Sequence, residues 1–462
     1  MESSLASLLA REGPLSAPEA ARLLGVDPIT IKRQAADAGA GVLIVGRGKN
    51  TRYALPQPTI TGAAQWPLFW VADDGAVTEF ALLSHLQPDV LHGYGSGTGL
   101  GINVTTARDL PWFMTPLKLR GYLGRASRGR LSAVTADWDA QPERWSLAQQ
   151  LFAAQSAVLD HAGAILLGEA AVQAWQTAQQ APPQLDDTST LATRYDGLAD
   201  AATEGRVAGS SADGEQPKFS NRLIDSSGRV REVLVKFSPP RGTSFGERWN
   251  DLLHAEAIAC DVLRDHGLAT PESRIVVSSK RTYFESTRID RVSGTATASG
   301  GRRHLLPLAS VHAAFVAGAP QSWPSTIARL AAQKRIAYDA LATTQTLYAF
   351  GQLIGNTDMH FGNLGVIVDS PTTIAKGRMT LAPCYDMLPM RFAPGPHSDI
   401  EFTAFSNELS AALPPAIAAT ARALANAFWQ RVSRADVVSD GWRRFAEGRS
   451  RLVLLLRSRY RP

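Results

Sequence analysis

Between Leu353 and Val368 the chain reads as the end of an apolar helix near Gly355, a polar loop, and an apolar strand beginning at Leu364. The loop, Asn356-Thr357-Asp358-Met359-His360-Phe361-Gly362-Asn363, sets a carboxylate and an amide five residues apart. One short connection therefore has to display both groups without letting either occupy the other's place. A second apolar run, Met379-Thr380-Leu381-Ala382-Pro383, reads as a strand pairing with 364–368 across a turn at Ser370 and Pro371. It delivers Cys384-Tyr385-Asp386 to the same side as the loop.

That spacing is the spacing of a kinase catalytic loop, in which the Asp accepts the substrate hydroxyl proton and the Asn binds magnesium. Asp358 is thus the candidate base, and Asn363 and Asp386 are the candidate magnesium ligands, carboxylate oxygen being what a hard cation prefers. His360 has no second His at metal-binding spacing and is assigned to bracing the loop. Upstream, Val230 to Phe237 has strand-like composition and ends in Lys236, whose ammonium would be costly to bury alone. Glu256 falls on the apolar stripe Trp249, Leu252, Leu253, Cys260, Leu263 of a helix at roughly 247–265, which predicts an internal pair of the kind that holds nucleotide phosphates. The small-residue loop 207–219, containing Ser210, Ser211, Gly214 and Lys218, lets backbone N–H groups approach phosphate oxygens. Tyr283 to Arg291 reads as a hinge between lobes, with the backbone at Ser286, Thr287 and Arg288 suited to an adenine edge.

The length of 462 residues exceeds what one core usually organises. With 45% apolar and 19% charged residues, the composition is that of a globular protein and not of a disordered one. Cys260 and Cys384 form no disulfide framework and no metal motif, which fits a reducing cytoplasm. Nowhere do about 18 apolar residues run together, so no membrane partner is expected. A formal charge of +5 matters only where the cations gather.

In the N-terminal head several of them fall on one helix and one hairpin. Residues 4–39 pattern as three short helices, with apolar positions Leu5, Leu8, Leu9, then Ala20, Leu23, Leu24, then Ile29, Ile31 and Ala35. Ser16 with Glu19 makes a capping box, and Asp27-Pro28 starts the third helix. A hairpin from Gly41 to Leu55 follows, with Arg47, Lys49 and Arg52 on it, while the third helix offers Lys32, Arg33 and Gln34. The expectation is a winged helix binding DNA through residues 1–57. Residues 66–131 alternate apolar runs with glycines, and 143–180 reads as helical. The glycines at 93–101 lack both a following Gly-Lys-Ser/Thr and a clear preceding strand, so they read as a loop.

Ser211 to Phe219, Lys236, Ile289-Asp290-Arg291, and Asn356-Thr357-Asp358 with His360, Asn363 and Tyr385-Asp386 resemble the HipA family of serine/threonine kinase toxins, over roughly residues 200–400. The region from Leu110-Pro111-Trp112 to Gly124-Arg125 does so weakly, and the leading winged helix is most similar to the YjjJ-type members. The resemblance implies an α+β, bilobal protein-kinase-like fold with an N-terminal winged helix-turn-helix (1–57), a region carrying the nucleotide lobe (58–289) and a mainly helical C-terminal lobe (290–462). It further implies ATP and Mg2+ as cofactors, with Ser210, Ser211, Gly214, Lys218, Lys236, Glu256, Ser286, Thr287, Arg288 and His360 around ATP. Ser211 matches the serine such kinases autophosphorylate, with Ser210 beside it leaving the position open. Family substrates are aminoacyl-tRNA synthetases, and the usual partner is a HipB-like antitoxin. Gly362 stands where many members have Lys. The same loop is also similar to that of aminoglycoside and choline phosphotransferases, which act on small molecules. A DNA-binding regulator whose kinase-like body only senses nucleotide is the third reading.

Overall fold

The computed structural model describes residues 4–46, 48–95, 102–128, 137–156, 160–204, 216–394 and 408–458, together with Leu131, Val134, Phe402 and Phe405. Ser210, Ser211, Gly214 and Arg47 lie outside the described residues. The architecture is α+β.

Helices Leu5–Glu12, Ala17–Leu24 and Pro28–Asp37 precede an antiparallel pair, β1 (Leu43–Val45) and β2 (Arg52–Ala54). Leu5, Leu8, Leu9, Ala20, Ile31, Ala35 and Tyr53 pack as a small core of their own. Leu23 and Ile29 do not join it and stand exposed. The starts are as chemistry requires: Ser16 and Glu19 satisfy each other's backbone N–H groups, and Asp27 caps the third helix with Pro28 in its first turn.

Next comes a five-stranded antiparallel sheet of β3 (Gln65–Val71), β4 (Val77–Leu86), β5 (Val90–Gly95), β6 (Asn103–Ala107) and β7 (Ile165–Leu167), in the order β6-β5-β4-β3-β7. Two expectations are corrected here. A strand does precede the glycine cluster, and Gly93 and Gly95 belong to it. The stretch 143–180 is not one helical region, because β7 separates helix Leu147–Ala154 from helix Glu169–Gln180. Ile165-Leu166-Leu167 is buried at every position, so it carries no alternation by which to be told from helix.

A second sheet takes β8 (Gln184–Leu185), β9 (Lys218–Ile224), β10 (Arg229–Phe237), β11 (Ser273–Val277) and β12 (Thr282–Thr287) in the order β11-β12-β10-β9-β8, with β13 (Gly294–Thr295) beside β10. The long helix Ser244–Asp265 packs against it through Leu253, Cys260 and Phe284. Residues 283–287, expected as a hinge, are instead an interior strand; the connector begins only at Arg288. Beyond it the chain is mainly helical (Leu308–Phe315, Trp323–Ala332, Asp339–Ile354, Pro415–Arg434, Asp440–Ser458) around a small sheet of β14 (His304–Pro307), β15 (Gly365–Val368) and β16 (Thr380–Leu381). The strand expected at 379–383 is therefore short. The expected turn at Ser370-Pro371 is the start of helix Pro371–Lys376, with Ser370 as its cap. One buried apolar cluster runs from Trp66 to Val453, so the first large sheet and the helical lobe share a core.

Candidate active site

Lys236 is the penultimate residue of β10, opposite Lys218 on β9 and Phe284 on β12. Its side chain is buried, and its Nζ donates to Glu256 Oε1 at 2.5 Å and to Asp386 Oδ1 at 2.6 Å. Glu256 sits on the buried face of helix Ser244–Asp265. Burial works against the Lys236 charge, but Asp386 and Glu256 outweigh it and raise its pKa. For Asp386 burial also opposes the charge, yet Lys236 and Lys218 hold its carboxyl below the usual value. Glu256 goes the other way: its burial outweighs Lys236 and pushes it up, and among the described residues its Oε2 has no partner.

Asp386 adopts φ 54°, a left-handed conformation that costs a non-glycine residue energy and that Asp tolerates better than most. The backbone there is fastened from the loop 356–363. Asn356 Nδ2 donates to the Asp386 carbonyl at 3.3 Å, while Asn356 Oδ1 accepts from the Asp358 N–H at 3.0 Å. Asn363 Nδ2 donates to the Asp358 carbonyl (2.8 Å) and to its Oδ2 (3.3 Å). Tyr385 donates to the Gly362 carbonyl at 2.9 Å. His360 Nδ1 accepts from the Gly362 N–H at 2.9 Å and its carbonyl accepts from Trp323, so it shapes the loop; its Nε2 lies 3.7 Å from Asp358.

Two adjoining spaces meet at these groups. The inner, about 150 Å³, is lined by Lys236, Leu234, Ser286, Thr287, Ile289 and Asp386 among others. The outer, about 830 Å³, reaches Asp358, His360, Asn363, Phe245 and Trp249. Of the backbone groups at Ser286 to Arg288, the Thr287 and Arg288 N–H groups already bond to the carbonyls of Glu272 (2.8 Å) and Glu232 (2.9 Å). Among the described residues, the Ile289 N–H is the next with no protein acceptor. The Arg288 side chain is likewise engaged, with Asp290 (2.8 Å) and Asp160.

The residues present suit magnesium. Asn363 commits its nitrogen to Asp358, which leaves its oxygen for a cation, and the Asp386 carboxylate stays partly exposed to the cavity. Among the described residues no group of three His, Cys, Asp or Glu side chains gathers as a metal site, but magnesium held against phosphates needs only one or two protein carboxylates.

The HipA-like C-terminal domain family matches residues 210–439, and the YjjJ-like toxin middle domain matches residues 62–176. Toxin YjjJ of Escherichia coli (strain K12) is 35% identical over 437 residues, 94% of each chain. The chain belongs to the HipA-like toxins of the YjjJ type. Its α+β architecture is that of a HipA-like chain. Among solved structures, the HipA, HipB and operator DNA complex of the Shewanella oneidensis MR-1 toxin–antitoxin system aligns over 85% of this chain and 97% of that one, at TM-score 0.48 and 13% identity. The Helicobacter pylori proinflammatory kinase CtkA aligns over 51% and 89%, at TM-score 0.34 and 14% identity.

Two residues of this YjjJ-type site had no role read for them in the sequence. Asn356 had a signal: an Asn just after a helix-ending glycine, two residues before Asp358, is placed to fold its side chain onto the backbone. Asp160 had none. It approaches Arg291 at 2.5 Å and Arg302 at 3.6 Å, as well as Arg288, and so fixes the connector after β12. In the head, Lys32, Arg33 and Lys49 are exposed, Gln34 is half-buried, and Arg52 pairs with Glu19 at 2.5 Å. Among the described residues no helix is long and apolar enough to cross a membrane.

Proposed function

We propose that this toxin is an ATP-dependent serine/threonine-protein kinase. The observation that carries the reading is the bridging of Lys236 between Glu256 and Asp386, beside a loop that presents Asp358 and Asn363. In this reading Lys236 holds the α- and β-phosphates, Lys218 adds charge beside them, and the Ile289 N–H faces the adenine. Asp358 takes the proton from the attacking hydroxyl. Bound magnesium, carried by Asp386 and the Asn363 oxygen, would supply charge stabilisation on the phosphates. Ser211 is the autophosphorylated residue, and aminoacyl-tRNA synthetases are the substrate class to test first. The three helices and β1–β2 act as a winged helix that binds DNA, and a HipB-like antitoxin is a further partner; the setting is the cytoplasm.

The test is incubation of the full chain with γ-labelled ATP and magnesium, beside Asp358→Asn and Ser211→Ala, with phosphosite mapping. Label on Ser211 that requires Asp358 is the expected result. ATP bound without any transfer to protein would sink the kinase reading in favour of a small-molecule phosphotransferase or a nucleotide sensor.

A further inference from the structure

The inner and outer spaces are continuous where Arg120, Lys218, Lys236, Gly362, Asn363 and Asp386 line both. Five of these belong to the nucleotide sheet, the catalytic loop or the segment after β16. Arg120 comes from the YjjJ-like middle domain, just ahead of helix Gly121–Arg128. The neighbouring Thr115, Pro116, Lys118 and Ala162 also line the inner space, so the middle domain supplies one of its walls.

The cations on these walls differ in what they have left to offer. Lys118 is paired with Asp109, Arg288 with Asp160 and Asp290, and Lys236 with Glu256 and Asp386. Lys218 is buried within the field of Glu256 and Asp386. Glu143, the carboxylate on Arg120's own wall, accepts from the Gly121 N–H at 3.1 Å. Among the described residues Arg120 has no carboxylate partner, although it is half-buried. A guanidinium placed this way is matched to an anion brought by the ligand, and its planar fork fits phosphate oxygens two at a time.

Resting on the phosphotransferase reading, we propose that Arg120 contacts the γ-phosphate of ATP and stabilises it during transfer, so that the middle domain completes the active site in cis. In that step the substrate hydroxyl oxygen forms a bond to the γ-phosphorus. The bond from phosphorus to the β,γ-bridging oxygen breaks, its electron pair leaves with ADP, and the hydroxyl proton passes to Asp358. Arg120 donates to the equatorial oxygens, where charge is spread as the two apical bonds exchange. ADP lacks those oxygens, so Arg120 distinguishes ATP from ADP.

The experiment compares the full chain with Arg120→Gln, Arg120→Lys and Asp358→Asn. It measures affinities for fluorescent ATP and ADP analogues with magnesium, and transfer of labelled γ-phosphate. Arg120→Gln is expected to weaken ATP about tenfold, leave ADP within about twofold, and slow transfer by a factor on the order of 100. Arg120→Lys should regain part of the ATP affinity while transfer stays about tenfold or more below wild type, an ammonium lacking the fork. Asp358→Asn should lose transfer with the ATP-to-ADP preference intact. An Arg120→Gln chain that keeps the wild-type preference, or wild-type transfer, overturns the assignment and leaves the kinase reading standing. A wild-type chain that binds neither nucleotide overturns both. Matched melting midpoints separate these outcomes from misfolding.

Discussion

Replacing Lys236 by Met tests the centre of the site through stability as well as activity. Lys236 bridges two carboxylates at 2.5 and 2.6 Å, and the surroundings of the two differ. The Asp386 side chain is 23% exposed and can rehydrate when the ammonium is gone, whereas the Glu256 side chain is 2% exposed and already has one oxygen without a partner among the described residues. The loss should therefore be close to that of one uncompensated buried charge, about 3–5 kcal/mol near neutral pH. Adding Glu256→Met removes the stranded carboxylate and should restore most of it. The sign with pH follows from Glu256. Without Lys236 its folded pKa rises further above the unfolded value, so its penalty is full at neutral pH and shrinks as acid neutralises it; the gap to wild type should narrow from pH 7.5 toward pH 5. Denaturant unfolding followed by tryptophan fluorescence measures all three chains. A single-variant loss below about 1 kcal/mol, or a double variant no more stable than the single, would refute the idea that Glu256 is held in place by this ion pair.

Two further outcomes are expected. His161 and His304 are each held neutral by burial, with pKa lowered to about 4; the unfolded chain takes up their protons first, so stability should fall as pH drops from about 6.5 to 4, by about 3 kcal/mol for each. Denaturation at pH 7.5 and 4.5 should show a shallower loss for His304→Gln, and parallel losses would refute the attribution. In the head, Lys32→Ala with Arg33→Ala and Lys49→Ala should lower the slope of log affinity against log salt for duplex DNA by about 3, read by fluorescence anisotropy. Binding with an unchanged slope would refute contact through these cations.

What could be read in the sequence was chemistry whose parts lie close together or repeat with the period of one element. Asp358 and Asn363 share a loop, and Glu256 could be placed because it falls on the apolar stripe of its own helix. Asp386 was legible because it follows a strand. The same local reading misjudged Ser370-Pro371, since a hydroxyl residue before proline serves equally as a turn and as a helix cap with proline in the first turn. It misjudged Ile29 and Leu23 because a short helix has enough apolar residues to fill its core stripe and still leave some on the other side. The Asp160 contacts were beyond reach: their arginines lie 128 and 131 residues away, and a lone Asp in a loop carries no mark of its partner.

Those distant contacts explain how a domain remote in sequence can form a wall of the cleft. Asp290 accepts from the Gly163 N–H at 3.1 Å, and Arg291 donates to the His161 carbonyl at 3.0 Å, so the connector after β12 is bound to the segment that leads into β7. On the other side, His304 accepts from the Ala164 N–H through Nδ1 and therefore donates from Nε2 to the Phe113 carbonyl at 2.7 Å. Thr115 donates to Ser310 at 2.7 Å. Residues 113–115 are thus fixed to the strand and helix that floor the site, a few residues before Arg120. Side chains that must meet a phosphate with bidentate geometry need such fixed supports, since a misplacement of about 1 Å is enough to lose much of their effect. The middle domain shares both the ion cluster and the apolar core of the helical lobe, which is the fixed support that the proposed phosphate contact of Arg120 requires.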